Sequence, residues 1–410
     1  MKEYRQCTKC VMDNQSDDTI TFDENGVCNY YLTAVSQMNA GSYLPNEDGQ
    51  QILNDLVAKI KKEGEGKEYD CLMGISGGLD SSYLAYLGAM KWGLRIMAVH
   101  VDDGFDTDLA KQNIKNLCNA CHIELKSIKP DAEQFNDLTR AFILAELPNV
   151  ATPQDNVLFA CLYNYAKKHK IKYFLSGGNF ALECILQKSS GGTNTMDMVH
   201  IRDVHRKFGT KPMDKLPLMT NWQRIWNAKV YGIHSLRLLN YIDYNRERAI
   251  QELKDSCDFT YYEAKHLENT LTKVVQLYWY YNKFGVDKRK SHLSSMIVSG
   301  QMTKKEALKE LEKPMYEEAQ MQKDIDEVLQ KINLDRKMFD EIVARPGKKA
   351  SDYRTDKLFV WTNKLISYLV KDKKSLVRGE FLLLLLTWRR LSLINVMQWA
   401  KMVFMYLNFR

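Results

Sequence analysis

Apolar runs of strand length alternate with segments of helical periodicity between residues 70 and 176. The runs predict strands at 70–75, 94–101, 123–128 and 171–176. The intervening patterns predict helices at 80–91, 107–121, 133–147 and 155–169. Regular alternation of strands and helices indicates an α/β fold, in which helices cover both faces of a parallel sheet. Ligands of such folds bind where the strands end.

The pattern outside this region divides the chain further. A helix is predicted near 48–62, and from about residue 225 to 350 the pattern is mostly helical. Within that stretch Thr303 precedes KKEALKEL, which is typical of a capped helix start. We therefore predict a small cysteine-containing module, a sheet domain, a helical substrate or partner domain, and a basic, apolar tail. Their boundaries are 1–45, 46–224, 225–350 and 351–410.

The turn after the first predicted strand carries the clearest chemistry. It reads Ser-Gly-Gly-Leu-Asp-Ser-Ser from Ser76 to Ser82 and leads directly into a helix. Paired glycines let backbone N–H groups converge, and a helix amino terminus attracts anions. The Walker pattern ends in Gly-Lys-Ser/Thr, whereas this turn has Asp80 and no such lysine. We therefore expect a turn that holds pyrophosphate with Mg²⁺, in a reaction that transfers AMP to a substrate.

SGGLDSS resembles the PP-loop, SGGxDS, of the ATP pyrophosphatases. Residues 149–186 and 265–301 look like the N-acetyl sugar amidotransferases of bacterial surface-polysaccharide and flagellin-sugar pathways, and the resemblance covers roughly residues 5–370. It implies a parallel-sheet, Rossmann-like domain of the adenine nucleotide alpha hydrolase kind. It also implies an ATP-dependent amidotransferase that adenylates the acetamido group of a nucleotide-linked N-acetyl sugar. Ammonia would then give an acetamidino sugar for LPS O-antigen, capsule or flagellin glycan.

The resemblance implies a separate ammonia source. The sequence has no cysteine in a Gly-x-Cys-x-Gly elbow of the kind a glutaminase uses. The implied partner is a glutaminase and channel pair similar to imidazole-glycerol-phosphate synthase. Two alternatives stay open: a tRNA-thiolating enzyme of the same superfamily and a non-catalytic nucleotide-binding protein.

The candidate site residues fall into three groups. Those expected to bind ATP are Ser76, Gly77, Gly78, Asp80, Ser81, Ser82, Asp102, Gly104, Gly177, Gly178 and Asn179. Those expected on the substrate side are Asp155, Glu183, Glu268, Lys288, Arg289 and His292. The candidate catalytic residues are Asp80, Ser81, Lys265 and His266. Each of three features has a non-functional alternative. Asp102 would lie in a solvated turn, Asp155 would be an acid at a helix start, and the charged cluster at 265–292 would be a solvated helix face.

Cysteines suggest a second kind of site. Cys7-x₂-Cys10 with Cys28 supplies three of the four soft ligands that a structural zinc site requires. The fourth position is Tyr31, where the resemblance implies a cysteine. The sequence therefore predicts either a Zn²⁺ site or three buried thiols. Cys118-x₂-Cys121 and Cys184 would serve the thiolating alternative, although core packing is the commoner fate of such cysteines.

The net charge of +7 is confined to the end of the chain. Residues 351–410 hold eleven Lys and Arg against four Asp and Glu, and residues 1–350 hold 47 of each sign. A neutral body argues against a nucleic-acid partner. The polar amino terminus has no signal-peptide core, so we expect a cytoplasmic protein. The apolar segment 376–410 is interpreted as an interfacial helix that touches the inner membrane, as an oligomer contact, or as an aberrant, frame-shifted terminus.

Overall fold

The computed structural model describes residues 3–187, 194–262 and 267–371, with side chains described up to residue 364. The strands are Cys71–Gly74 (β1), Ile96–Val101 (β2), Glu124–Ile128 (β3), Tyr173–Leu175 (β4) and His234–Leu236 (β5).

The helices account for most of the remaining described chain. They are Asn29–Gln37 (α1), Glu47–Gly64 (α2), Leu79–Tyr86 (α3), Asp108–Ala120 (α4), Ala132–Leu144 (α5), Thr152–Lys168 (α6), Phe180–Glu183 (α7), Met198–Phe208 (α8), Asn221–Val230 (α9), Arg246–Cys257 (α10), Thr270–Lys273 (α11), Tyr280–Phe284 (α12), Lys288–Val298 (α13), Lys304–Leu311 (α14), Glu318–Ile332 (α15), Arg336–Ala344 (α16) and Lys357–Lys371 (α17). Wider π-helical turns occupy Met38–Ser42, Leu87–Lys91 and Val274–Trp279, and short 3₁₀ turns occupy Leu238–Tyr241 and Ala350–Asp352.

The five strands form one parallel sheet in the order β3-β2-β1-β4-β5. From the central β1, the chain builds the sheet first on one side, as β2 and β3, and then on the other, as β4 and β5. The strand order therefore reverses between β1 and β4, which is where doubly wound folds bind ligands. The predicted α/β class is confirmed.

Alternate residues of the central strands enter two different cores, as the period of two requires. Met73 of β1 packs with Leu84 and Leu117 of α3 and α4, whereas its neighbour Leu72 packs with Leu162 of α6. Met73 and Leu72 are both fully buried. Covering on both faces explains why the central strands β1 and β2 are nearly continuous apolar runs rather than alternating ones.

A separate core holds the carboxy-terminal helices together. Trp279 stacks on Phe339 of α16, with ring centroids 6.0 Å apart. The same cluster includes Phe142 of α5 and Ile325 of α15, so these helices pack against the sheet domain. The expected helix after Thr303 is α14, where Thr303 and Glu306 form a reciprocal capping box.

One predicted domain boundary is tested by the sheet, and the apolar end of the predicted tail is not described. β5 pairs with β4, so the sheet continues past the boundary predicted at residue 224; the rest of the domain division stays a prediction. The segment 376–410 lies outside the described residues. Among the helices that the structure describes, none has both the length and the apolar character needed to cross a bilayer.

Candidate active site

Two Ser-Gly-Gly turns lie side by side where the strand order reverses. Ser76–Gly78 follows β1 and leads into α3, and Ser176–Gly178 follows β4 and leads into α7. In each turn the serine Oγ accepts a hydrogen bond from the N–H two residues later, at 3.3 Å in both cases. A Cβ on Gly177 would lie 2.9 Å from the backbone nitrogen of Ser81. The second turn thus packs directly on the first turn of α3.

The shape of the first turn depends on Gly77. This residue has φ +77°, and a Cβ there would lie 2.6 Å from the carbonyl oxygen of Ala110. The carbonyl oxygen of Gly77 accepts hydrogen bonds from the Tyr262 hydroxyl at 3.1 Å and from the Asn113 side chain at 3.4 Å. Both the conformation and the close approach to α4 therefore require glycine.

Asp80 and Ser81 stand in the first turn of α3. Asp80 accepts a hydrogen bond from the Tyr244 hydroxyl at 2.5 Å. Burial, and then the charge of Asp80, raise the pKa of Tyr244 well above its usual value, so the hydroxyl keeps its proton. Ser81 Oγ donates to the carbonyl oxygen of Gly78 at 3.2 Å. Asp80 is thereby held in place by a neutral donor.

The two turns open into a cleft with two continuous parts. The first part, which we name the turn pocket, has a volume of about 200 Å³ and includes Asp80, Glu183, Arg246, Tyr261 and His292 in its wall. The second part, named the strand-end pocket, has a volume of about 460 Å³ and lies over the ends of β1, β2 and β4. Three residues line both parts: Ser76, Gly177 and Glu268.

Carboxylates are prominent in the wall of the turn pocket. Glu268 accepts a hydrogen bond from Ser76 Oγ at 3.1 Å, and Asp80 and Glu183 line the same space. Carboxylate oxygens are ligands that Mg²⁺ prefers, and a turn with paired glycines at a helix start suits phosphate. This donor set fits a nucleotide phosphate chain with Mg²⁺.

His292 faces the turn pocket from α13. Its Nδ1 lies 3.2 Å from the carbonyl oxygen of Leu182. Because a carbonyl oxygen only accepts, Nδ1 carries the proton in the neutral ring, and Nε2 carries the lone pair.

A buried polar network forms the floor of the strand-end pocket. His100 Nδ1 donates to the carbonyl oxygen of Ile75 at 2.9 Å, and Nε2 lies 3.1 Å from Asp106 Oδ2. Burial lowers the pKa of His100, but the hydrogen bond and charge of Asp106 outweigh burial and raise the pKa overall. Asp103 accepts from Asn269 at 3.0 Å, and burial raises the pKa of Asp103 to about 6. The His100 side chain thus contacts Ile75, the residue that precedes the first Ser-Gly-Gly turn.

Lys288 lines the strand-end pocket opposite this network. Its Nζ lies 5.5 Å from the centre of the Tyr280 ring. Burial lowers the pKa of Lys288, and the charges of Glu183 and Asp17 partly offset that effect. Lys288 thus lies among anionic groups from two other parts of the chain.

The structure gathers most of the sequence-predicted site residues around one cleft. Those in its wall are Ser76, Gly78, Asp80, Ser81, Asp155, Gly177, Gly178, Glu183, Glu268, Lys288 and His292. Gly77 shapes the turn from behind. Lys265 and His266 lie outside the described residues, so their catalytic role stays a prediction.

Five predicted residues have other contacts and are absent from the described wall of the cleft. Asp102 pairs with Lys129 at 3.3 Å, and the carbonyl oxygen of Gly104 accepts from Lys331. Ser82 is completely buried.

Asn179 and Arg289 have structural contacts instead. Asn179 caps α7 by accepting from the N–H of Leu182 at 2.9 Å. Arg289 pairs with Asp287 at 2.9 Å and donates to the carbonyl oxygen of Lys313 at 2.8 Å. The substrate contact that the sequence predicts for Arg289 stays a prediction.

Sequence reasoning missed His100, Asp106 and Arg246. A histidine in the otherwise apolar run LRIMAVHV is a detectable signal, because a buried imidazole needs a partner. Arg246 gave no such signal, since its helix is rich in charge throughout.

The three amino-terminal cysteines form a compact cluster. The Sγ atoms of Cys7, Cys10 and Cys28 all lie within 4.8 Å of one another, and the three residues are fully buried. Backbone N–H groups of Cys28 and Lys9 donate to Cys7 Sγ at 3.2 and 3.4 Å. Hydrogen bonds from the Cys10 and Cys28 thiols lower the pKa of Cys7 well below its usual value. This donor set fits Zn²⁺ through three thiolates.

The other cysteines named by the sequence lie away from the cleft. Cys121 and Cys257 approach to 3.8 Å between α4 and α10, and burial raises the pKa of Cys118 to about 11. Burial also raises the pKa of Cys184 to about 11. In the part of the cleft wall that the structure describes, no residue is a cysteine. Thiols of this kind are poor nucleophiles.

Comparison with known proteins gives one family model and one relative that are similar to this chain. Residues 268–366 match the family model described as LPS biosynthesis protein WbpG-like, C-terminal domain. An uncharacterized protein of Methanocaldococcus jannaschii is 22% identical over 320 residues, which are 76% of this chain and 97% of that protein.

Two solved structures are similar to part of this chain. NMN synthetase from Francisella tularensis is 17% identical, with a TM-score of 0.26, over 50% of this chain and 94% of that one. The U34-tRNA thiolase NcsA from Methanococcus maripaludis, solved with its [4Fe-4S] cluster, is 14% identical, with a TM-score of 0.29, over 62% and 79%. At these TM-scores neither likeness adds to the argument. The resemblance seen in the sequence is confirmed over residues 268–366, which are similar to the C-terminal domain of WbpG-like LPS biosynthesis proteins.

Proposed function

We propose that this protein is an ATP-dependent amidotransferase. It would convert the acetamido group of a nucleotide-linked N-acetyl sugar into an acetamidino group, for LPS O-antigen, capsule or flagellin glycan. One observation carries the proposal: two Ser-Gly-Gly turns share one cleft at the point where the strand order reverses, and the cleft wall continues into the WbpG-like segment through Glu268, Lys288 and His292.

The chemistry needs activation of a poor electrophile. An amide carbonyl resists attack by ammonia because its oxygen is a poor leaving group. Transfer of AMP from ATP to that oxygen, with loss of pyrophosphate, gives an O-adenylyl imidate. Ammonia then adds to the imidate carbon and AMP leaves with the original oxygen, so the sugar gains an amidine nitrogen.

The chain's residues mainly position the reactants and balance charge. The turn at Ser76–Gly78 and the start of α3 would hold the departing pyrophosphate. Asp80, Glu183 and Glu268 would hold Mg²⁺, which supplies charge neutralisation when it is bound. This assignment is supported by the hydrogen bond from Tyr244, which fixes the side chain of Asp80, a residue of the turn-pocket wall.

The strand-end pocket would take the adenosine and the sugar. Its larger volume, about 460 Å³, and its mixed wall of apolar and charged groups suit a ligand of that size. Lys288 of α13 and Asp155 of α6 both line this space, although they are far apart in the sequence. They would contact polar groups of the sugar.

Ammonia would come from a separate glutaminase and channel pair, with the reaction in the cytoplasm. We propose a direct test, in which purified protein is given ATP, Mg²⁺, ammonium at alkaline pH and a panel of nucleotide-linked N-acetyl sugars. Pyrophosphate release should depend on one sugar of the panel and on ammonium. Matched nucleotide sugars that carry a hydroxyl in place of the acetamido group serve as the control.

A different result would replace the proposal. Pyrophosphate release that ignores every sugar and depends on tRNA would favour the thiolating alternative. Binding of ATP without any pyrophosphate release would favour the non-catalytic nucleotide-binding alternative.

A further inference from the structure

Two faces of α13 contact different parts of the protein. Lys288 and His292, one helical turn apart, line the cleft. Lys290 and Ser294, also one turn apart, face the amino-terminal cysteine module instead. α13 therefore contacts both the cysteine module and the cleft of the candidate active site.

Several contacts fasten the module to this region. Asp13 forms an ion pair with Lys290, and their side chains are 0% and 17% exposed. The N–H of Val11 donates to Ser294 Oγ at 3.3 Å. Lys304 of α14 donates to the carbonyl oxygen of Cys7 at 2.6 Å, so the backbone of a candidate metal ligand takes part in the junction.

The cleft face of α13 is fastened to the second Ser-Gly-Gly turn by way of α7. Ser295 Oγ accepts from the N–H of Ile185 at 3.0 Å. Ser299 Oγ donates to the carbonyl oxygen of Ala181 at 2.8 Å, and His292 donates to that of Leu182. A displacement of α13 would therefore carry the wall that includes Glu183 with it.

We infer that Asp13 is a positioning residue for the cleft. Its buried ion pair with Lys290 fixes α13 against the cysteine module, and so sets where Lys288 and His292 stand. The cysteine module then holds the substrate side of the site in position, and we call this role the brace. This inference rests on the proposed function only where substrate turnover is measured.

The bonding of Asp13 makes a selective variant available. Its Oδ1 accepts from the N–H groups of Gln15 and Ser16 and from the Ser16 hydroxyl, at 3.2, 3.0 and 2.5 Å. Its Oδ2 faces Lys290 and also accepts a hydrogen bond from the Tyr4 hydroxyl at 3.4 Å. In Asp13→Asn the amide oxygen can keep the contacts to Ser16, whereas the amide NH₂ cannot accept from the lysine. The variant cuts the tie to α13 and keeps the local turn.

Lys290→Met cuts the same tie from the other side and leaves the module's own hydrogen bonds intact. The matched control is Asp137→Asn, which breaks the Asp137–Arg140 pair within α5. Those side chains are 4% and 16% exposed, so the control loses an ion pair of similar burial. Neither residue lines the described cleft.

The test is hydrogen–deuterium exchange of the full chain, combined with steady-state kinetics. We expect faster exchange in peptides from 288–298 and 180–185 for Asp13→Asn and Lys290→Met, and no such change for Asp137→Asn. If the pair is the link, the double variant should exchange like either single variant. Displacement of a reacting group by about 1 Å costs about 10²-fold, so the sugar KM or kcat should worsen by about tenfold or more while the KM for ATP stays within about twofold.

Two results would overturn the inference. One is exchange in 288–298 that is no faster in Asp13→Asn and Lys290→Met than in Asp137→Asn. The other is unchanged sugar kinetics in both variants when the wild-type protein turns over the sugar. If the wild type turns over no sugar, the proposed function fails, and the exchange result alone decides whether the brace exists.

Discussion

Gly177→Ala probes whether the two Ser-Gly-Gly turns act as one site. A Cβ at this position would lie 2.9 Å from the Ser81 nitrogen and 3.1 Å from the Asp80 carbonyl carbon, and ordinary contact begins at 3.4 Å. The shortfall is about 0.5 Å, and both neighbours are backbone atoms of α3 that no side-chain rotation can move. The methyl group must therefore push the two turns apart.

The size of the effect follows from that shortfall. Since a misplacement of about 1 Å can cost about 10²-fold, a shift of about 0.5 Å should slow pyrophosphate release by about tenfold. That factor corresponds to about 1.4 kcal/mol of barrier. Overpacking should also lower the free energy of unfolding by about 1–3 kcal/mol.

Gly88→Ala supplies the control, because Gly88 does not line the described cleft. Its Cβ would lie 2.7 Å from Ile96 Cδ1, the end of a side chain that can yield. The assays are denaturant unfolding and sugar-dependent pyrophosphate release. If Gly177→Ala matches Gly88→Ala in both assays, the close packing of the two turns does not govern the reaction, and the account of a joint site is wrong.

Four further variants test other parts of the account. Asp80→Asn should slow pyrophosphate release by about 10²–10³-fold with little change in melting temperature, because the residue stands at a helix start outside the core; an unchanged rate would remove it from the reaction. The raised pKa of His100 means that its charged contacts stabilise the fold fully below about pH 6.5 and are lost as pH rises through the folded-state pKa. His100→Gln should therefore cost about 2 kcal/mol at low pH and flatten this pH dependence in chemical unfolding, whereas a parallel curve would contradict the assignment. A Cys7→Ser, Cys10→Ser double variant should lose up to one zinc per chain by elemental analysis, and equal iron and sulfide in the wild type would refute the zinc assignment. A chain cut after residue 371 should keep sugar-dependent pyrophosphate release with ammonium and lose most salt-sensitive binding to RNA or anionic lipid; retained tight tRNA binding would count against the amidotransferase.

Much of the fold could be predicted because the signals are local. The strands β1, β2 and β4 are mostly apolar runs, and the helices between the strands have clear starts such as Thr107, whose side chain caps α4. β5 was missed because it has three residues, two of them exposed, and so carries no apolar run. Its pairing with β4 comes from the tertiary fold.

The site could be predicted only where backbone chemistry decides it. The Ser-Gly-Gly turns are visible in the sequence because a strand, paired glycines and a helix start must coincide. Partners of charged side chains are not visible: Lys288 lines the cleft while its neighbour Arg289 pairs with Asp287, although both stand at the start of one helix. The two side chains leave α13 in different directions, and this difference decides which of them reaches the cleft. The amino-acid composition of the helix start does not predict it.

The central claim is that AMP leaves with the acetamido oxygen of the sugar, and an isotope measurement tests it most directly. The nucleotide sugar is prepared with heavy oxygen in the acetamido carbonyl and incubated with the protein, ATP, Mg²⁺ and ammonium. The account predicts heavy oxygen in the AMP phosphate, none in pyrophosphate, and one nitrogen from isotopically labelled ammonium in the sugar. AMP without the label, or a sugar that keeps its labelled oxygen while pyrophosphate forms, would contradict the account.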